Sequence, residues 1–243
     1  MNEAELTEVL RNHFGHPAFR PGQLEAVEAA VAGRDVLLVM PTGAGKSLCY
    51  QLPAVCDRRL AVVVSPLVSL MTDQVESLRG RAELINAQRD AADNRHALER
   101  ALAGDVAMLY VAPERFSSPG FTDRLAEAEI GLFVVDEAHC VSQWGHDFRP
   151  EYFQLGDVAQ RLGARSVFAA TATATPQVAA DVARRLGLRD AVSITTGFDR
   201  PNLSYDVVAI GSDRAKRAAT LSLLREPDGL PAIVYAGTRK RTD

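Results

Sequence analysis

The sequence predicts an α/β domain, a parallel sheet covered by helices on both faces, and three observations carry that expectation. Continuous apolar runs recur along the chain, beginning with VLLVM at 36–40. Such runs read as strands buried on both faces. Stretches of helical periodicity separate them, the alternation that builds βαβ units and a right-handed, doubly wound sheet. The first run also passes straight into a Gly-rich segment, PTGAGKS at 41–47, and from there into a helical pattern.

Taken in order, Leu6, Val9, Leu10 and Phe14 recur at helical spacing and predict a short amphipathic helix at the start. A second helix is expected from Pro21, a good first-turn residue, carrying Leu24, Val27 and Val31 inward as far as Gly33. The strand at 36–40 follows a Gly-Arg-Asp turn. Further strands are predicted at 61–64, 106–111, 132–135 and 167–170, with helices at 67–78, 95–103 and 175–186. GFDRPN at 197–202, punctuated by Gly and Pro, is the expected boundary between a first domain, 1–197, and a second, 198–243. Beyond it two strands, 203–208 and 232–236, are expected around a helix at 214–224. Two strands and one helix rarely make a stable core. The stretch therefore reads as the incomplete start of a second domain, with the last residues, 239–243, in its next connection.

The chain has 243 residues, enough for one full domain and part of another. A chain of this size buries roughly 70% of its unfolded surface and needs no disulfide or metal staple. With 47% apolar and 24% charged residues, collagen-like, coiled-coil and wholly disordered classes are excluded. Its 27 basic and 31 acidic side chains leave a net charge of −4, against an indiscriminate polyanion binder, although charge can be local. Cys49, Cys56 and Cys140 form no C-x-x-C pair, so neither a disulfide framework nor a structural zinc site is expected, and a reducing compartment fits. The first residues lack a basic n-region and an apolar h-region, and no apolar string is long enough to span a bilayer. The expected location is cytoplasmic, with no membrane partner.

PTGAGKS is a phosphate-binding signature. Gly43 and Gly45 permit a tight turn whose N–H groups can surround phosphate oxygens. Lys46 would reach the β- and γ-phosphates of ATP, the Ser47 hydroxyl would hold Mg²⁺, and the helix opening at Lys46 adds its positive end. Thr42, Gly43, Ala44, Gly45, Lys46 and Ser47 are thus the expected nucleotide contacts. The pattern departs from G-x-x-x-x-G-K-S at its first position, where Met40 stands.

LFVVDEAH at 132–139 is a buried strand ending in two acids. A parallel sheet can set Asp136 beside the Mg²⁺ at Ser47 and Glu137 beside the water that attacks the γ-phosphate. Just beyond, Trp144, Phe148, Tyr152 and Phe153 cluster with Arg149 and His146. Exposed rings stack unpaired bases, and arginine attracts the nucleic-acid backbone. Trp144, Phe148 and Arg149 are the expected nucleic-acid contacts, with Phe153 assigned to the interior. Placed between hydrolytic site and nucleic acid, such a loop would report strand binding to the ATP site.

The D-E-A-H box after a P-loop resembles the superfamily 2 helicases, which also tolerate P-T-G-x-G-K-S without the first Gly. The remaining motifs resemble the RecQ DNA helicases within it: FGHPAFRPGQ (14–23), SPLVSLMTDQV (65–75), YVAPERF (110–116), HCVSQWGHDFRPEY (139–152), ATATAT (170–175) and FDRPNLSY (198–205). The resemblance runs from Leu6 to the last residue. It implies a RecA-like P-loop fold in which Arg20 and Gln23 bond the adenine and His16 stands where relatives place a stacking aromatic. Ala44 stands where a third glycine is usual. His139 is implied to couple the nucleotide to Thr171 and Thr173. The resemblance further implies a 3′→5′ DNA helicase of repair and recombination, acting on single-stranded and forked DNA. Single-stranded-DNA-binding and repair proteins are its implied partners, a monomer its state and the nucleoid its place of work. The family's arginine finger, winged helix and zinc site belong to regions beyond Asp243. The chain alone is therefore expected to bind Mg·ATP, hydrolyse it slowly and not unwind. An RNA-directed helicase and a non-motor P-loop regulator are the alternatives. The first would respond to RNA above DNA, the second to neither.

Overall fold

The computed structural model describes residues 1–145, 147–197, 203–227 and 229–237. The chain divides into two units, Met1–Asp199 and Arg200–Asp243.

The first unit is built on a seven-stranded sheet whose paired strands all run parallel. Its strands are β1 (Val36–Val39), β2 (Leu60–Val64), β3 (Ala82–Ile85), β4 (Met108–Val111), β5 (Ile130–Val135), β6 (Ser166–Thr171) and β7 (Val192–Thr195), in spatial order β3-β4-β2-β5-β6-β1-β7. Helices α1 (Glu3–Phe14), α2 (Gln23–Val31), α3 (Lys46–Cys56), α4 (Val68–Ser77), α5 (Ala91–Leu102), α6 (Phe121–Leu125), α7 (Leu155–Arg161) and α8 (Pro176–Arg185) cover it.

Every residue of β1, β2, β4, β5 and β6 is buried because both faces are roofed. On one face Leu37, Val62, Leu109, Phe133 and Ala169 pack with Ala97 of α5, Leu125 of α6, Leu155 of α7 and Val182 of α8. On the other, Leu38, Val63, Tyr110, Val134 and Phe168 pack with Ala26 of α2, Tyr50 of α3 and Met71 of α4. Leu6 and Leu10 of α1 form an outer layer on Val27, Leu48 and Leu52. Among the described residues no helix is long and apolar enough to cross a membrane.

Two strands lie outside the sequence expectation, and both are edges. β3 is interrupted by Glu83, which pairs with Arg100, and β7 is only partly covered. Neither makes a continuous apolar run, because an edge strand is not roofed on all sides. The second helix starts at Gln23 rather than Pro21, since Gly22 takes a left-handed φ of 78° that ends the preceding turn.

In the second unit, α9 (Asp213–Leu224) is capped by Ser212, whose hydroxyl accepts from the Ala215 N–H. The strands expected at 203–208 and 232–236 do not form, and both segments are largely exposed. A strand exists only as part of a hydrogen-bonded ladder, and neither segment has a neighbour to pair with among the described residues. His146, most of the 197–202 boundary and the terminal 239–243 lie outside the described residues.

Candidate functional site

The candidate site forms at the carboxyl edge of the sheet, where β5, β6 and β1 lie side by side. The chain leaves β1 through Met40, whose N–H donates to the Thr171 carbonyl at 3.0 Å. It then turns through Gly43 (φ 84°) and Gly45 (φ 91°) into α3. Gly45 is needed twice. Its φ excludes ordinary side chains, and a Cβ there would stand 2.5 Å from Nε2 of Gln23. Thr42 and Gly43 are exposed, while Ala44, Gly45, Lys46 and Ser47 are half-buried.

Gln23, only 2% exposed, is tied to this loop. Its Nε2 donates to the carbonyls of Ala44 and Gly45, each at 3.2 Å, and its Oε1 accepts from the Arg20 N–H at 2.8 Å. Arg20 in turn donates Nη1 to the Gly43 carbonyl at 2.8 Å. The two side chains that the motif reading assigns to adenine therefore hold the phosphate loop by three consecutive carbonyls. His16, exposed just past α1, lines a cleft of about 780 Å³ together with Gly45, Ser47, Gln51 and Gln74.

The acids stand at the end of β5. The Asp136 N–H donates to Val64 O at 2.8 Å, its Oδ1 accepts from the Glu137 N–H at 3.0 Å, and its carbonyl accepts from the Tyr152 hydroxyl at 3.2 Å. Glu137 adopts a left-handed conformation (φ 48°, ψ 46°). For a non-glycine residue this is uncommon and concentrated at functional sites. Asp136 is 6% exposed, and burial pushes its carboxyl up to about 6. Glu137 adds to the rise, while Lys46 and the Glu137 N–H oppose it. The buried Asp136 carboxylate closes β5 at the sheet edge where Ser47 enters α3, and carboxylate and hydroxyl oxygens are ligands suited to a hard divalent cation.

His139 joins the acids to β6. Its Nδ1 lies 2.9 Å from Oγ1 of Thr171 and 3.3 Å from Oε2 of Glu137. The Thr171 hydroxyl also lies 3.1 Å from the Thr173 carbonyl, an acceptor for its hydrogen that fits Nδ1 as the donor to Thr171. Thr171 is buried. Thr173 is exposed and meets Thr171 only through its backbone.

Of the expected nucleic-acid residues, Trp144 is 68% exposed. It borders a cleft of about 410 Å³ with His139, Thr173, Thr175 and Pro176. Phe148 is half-buried, edge-on to Phe153 at 4.9 Å, and Arg149 pairs with Asp147 at 3.0 Å. Phe153 does not enter the core as expected. It is half-buried because the Arg185 guanidinium covers its ring at 4.3 Å, and Tyr152 takes the interior place instead. Sequence reasoning missed Ser142 and Asp181, both buried and joined at 2.8 Å. Neither carries a motif-level signal of its own, since the pairing spans 39 positions.

The chain is 40% identical over 240 residues to the ATP-dependent DNA helicase RecQ of Pasteurella multocida, covering 97% of this chain and 37% of that protein. It is 37% identical over 239 residues to RecQ of Haemophilus influenzae, covering 97% of this chain and 38% of that protein. It spans less than half the length of the curated relatives it matches. The structure of Mycobacterium smegmatis helicase Lhr bound to ssDNA and AMP-PNP shares its fold at a TM-score of 0.62 and 22% identity, over 78% of this chain and 27% of that one. The family model described as DEAD/DEAH box helicase matches residues 20–182, a span that takes in the glycine loop, the acid pair and the aromatic loop. The chain belongs to the DEAD/DEAH box helicases.

Proposed function

We propose that this chain is the ATP-binding motor domain of a RecQ-type DNA helicase, with single-stranded DNA as its effector. One observation supports the reading above the others. A single edge of the sheet carries the glycine loop, the acid pair and, through His139 and its cleft, the exposed Trp144. Nucleotide chemistry and a base-stacking ring are thus adjacent, as a DNA-stimulated ATPase requires.

In this reading Lys46 and the N-terminal end of α3 draw the phosphates to the loop. Ser47 and Asp136 would hold Mg²⁺, which when bound neutralises phosphate charge. Glu137 orients the attacking water and accepts its proton. Arg20, Gln23 and His16 form the adenine side, and the hydrogen bonds of Arg20 and Gln23 to the 43–45 carbonyls make the base and the phosphate loop one unit. Trp144, Phe148 and Arg149 receive the strand. His139, with Thr171 and Thr173, passes strand contact to the acids. The 3′→5′ polarity and the unwinding reaction belong to the longer RecQ architecture. A charge-neutralising arginine at the γ-phosphate is worth about 10³-fold or more in turnover, and none is assigned in this site among the described residues, so slow hydrolysis is the proposed activity of these residues assayed alone.

The test is ATP hydrolysis with and without single-stranded DNA, beside Lys46→Ala and Glu137→Gln. A slow rate raised by DNA and lost in both variants supports the motor reading. Stimulation by RNA above DNA would move it to an RNA-directed helicase. ATP binding indifferent to either nucleic acid would refute it.

A further inference from the structure

Trp144 projects into solvent, so its ring is not held by packing, and its aim is set by the backbone beneath it. That backbone has a specific anchor. The Trp144 N–H donates to Oγ of Ser142 at 3.2 Å, and the Ser142 hydroxyl donates to Oδ2 of Asp181 at 2.8 Å. Ser142 is fully buried and Asp181 is 3% exposed, so the pair lies under the loop rather than beside it. A buried carboxylate is costly unless it is paired and hydrogen-bonded. Asp181 is both. Arg185 donates Nε to its two oxygens at 3.1 and 3.0 Å, and Arg184 forms a further ion pair. Burial raises the carboxyl, but the Ser142 hydroxyl and the two arginines outweigh it and hold it below the usual range, so it is ionised at neutral pH.

The same carboxylate governs the other limb of the loop. Arg185, oriented by Asp181, lies over the Phe153 ring at 4.3 Å, and Phe153 meets the edge of Phe148 at 4.9 Å. Both limbs therefore rest on α8. That helix is capped by Thr175, whose hydroxyl accepts from the Val178 N–H, directly after Thr171 and Thr173. The loop also touches the acid box. A Cβ on Gly145 would stand 2.4 Å from the His139 carbonyl.

We propose that Asp181 is the positioning residue of the aromatic loop. Through Ser142 it sets Trp144, through Arg185 it sets Phe148, and α8 is the rigid bar joining strand contact to the Thr171–Thr175 segment. Asp181 is 3% exposed beneath the loop and acts through Ser142 and Arg185. The consequence for DNA coupling rests on the motor reading given above, whereas the anchoring of Trp144 does not.

Trp144 is the single tryptophan of the chain, so its fluorescence reports this loop alone. The experiment compares wild type, Ser142→Ala, Asp181→Ala and Arg184→Ala, the last altering an exposed partner of Asp181 outside the relay. Acrylamide quenching and anisotropy of Trp144 are measured without nucleic acid, followed by ATP hydrolysis titrated with oligo(dT). In Ser142→Ala and Asp181→Ala the ring becomes more mobile and more quenchable, and half-maximal stimulation needs about 10-fold more oligo(dT), the scale of one buried hydrogen bond. DNA-free hydrolysis stays within about 2-fold, a ratio worth less than one such bond. Arg184→Ala leaves all readouts at wild-type values. Unchanged Trp144 quenching and anisotropy in both relay variants would overturn the proposal. So would mobilised rings with an unaltered oligo(dT) requirement. A wild type that ignores oligo(dT) refutes the motor reading instead, while the fluorescence comparison still decides the anchor. Should Asp181→Ala fail to fold, Ser142→Ala, which removes one oxygen atom, carries the test.

Discussion

Asp136→Asn is expected to make the protein more stable while removing its Mg·ATP response. Asp136 is almost wholly buried, and its carboxyl rises from 3.8 in the unfolded chain to about 6 in the folded one. A raised carboxyl means that the folded state binds the proton more tightly than the unfolded state does. Below pH 3.8 the group is neutral in both states and costs nothing. As pH rises through about 6, the folded state must hold a desolvated charge, and stability is lost. Two units correspond to roughly 3 kcal/mol at pH 7.5 and above. Asparagine keeps the size and one acceptor for the Glu137 N–H but cannot ionise. The value of about 6 already includes the opposing attraction of Lys46, and asparagine leaves a polar amide in the buried position, so the expected net is about 1–3 kcal/mol. For a unit of this size that is a rise in Tm of roughly 3–10 °C at pH 7.5. At pH 4 the difference should close to near zero.

Thermal unfolding followed by far-UV circular dichroism, at both pH values and with or without Mg·ATP, measures this directly. Mg·ATP should raise the wild-type Tm by ligand linkage and leave the variant unmoved. A variant less stable than wild type at pH 7.5, or a difference of equal size at both pH values, would refute the reasoning. Either result would mean that Asp136 is solvated or already compensated in the folded protein.

Two other perturbations probe the loops. Gly45→Ala forces a Cβ against the Gln23 amide at a φ of 91°, so affinity for a fluorescent ATP analogue should fall by more than about 10-fold, with Tm lowered by a strained backbone. Unchanged affinity would show that the loop relaxes without Gln23. Trp144→Ala removes an exposed ring and little packing. Its affinity for single-stranded DNA should drop by roughly 5- to 150-fold, the range that corresponds to about 1–3 kcal/mol of stacking, while ATP-analogue affinity and Tm hold. Parallel loss of both affinities would make Trp144 a structural residue.

Much of this was legible before folding, and the reasons are particular. The strands at β1, β2, β4, β5 and β6 announce themselves because strands roofed on both faces must be apolar at every position. β3 and β7 were not legible, since Glu83 and the partly exposed β7 residues break that pattern at the sheet edges. Within the site, PTGAGKS and DEAH are contiguous in the chain, so their chemistry travels with the local sequence. The Phe153 assignment failed because a ring's burial depends on what crosses it, here Arg185 from a distant helix. The expected strands of the second unit failed because a ladder needs a partner, whatever the propensity of the segment.

Local order alone therefore determined the α/β class, the glycine loop entering α3 and the acids closing β5. Tertiary structure decided the rest. Strand order inserted β6 between β1 and β5, which set Thr171 against His139 across 32 positions. Packing buried Asp136 and so raised its carboxyl, and it brought Asp181 beneath Ser142. Periodicity and turn chemistry act between neighbours in sequence. Desolvation, register and side-chain contact act between neighbours in space, and those exist only once the sheet is assembled.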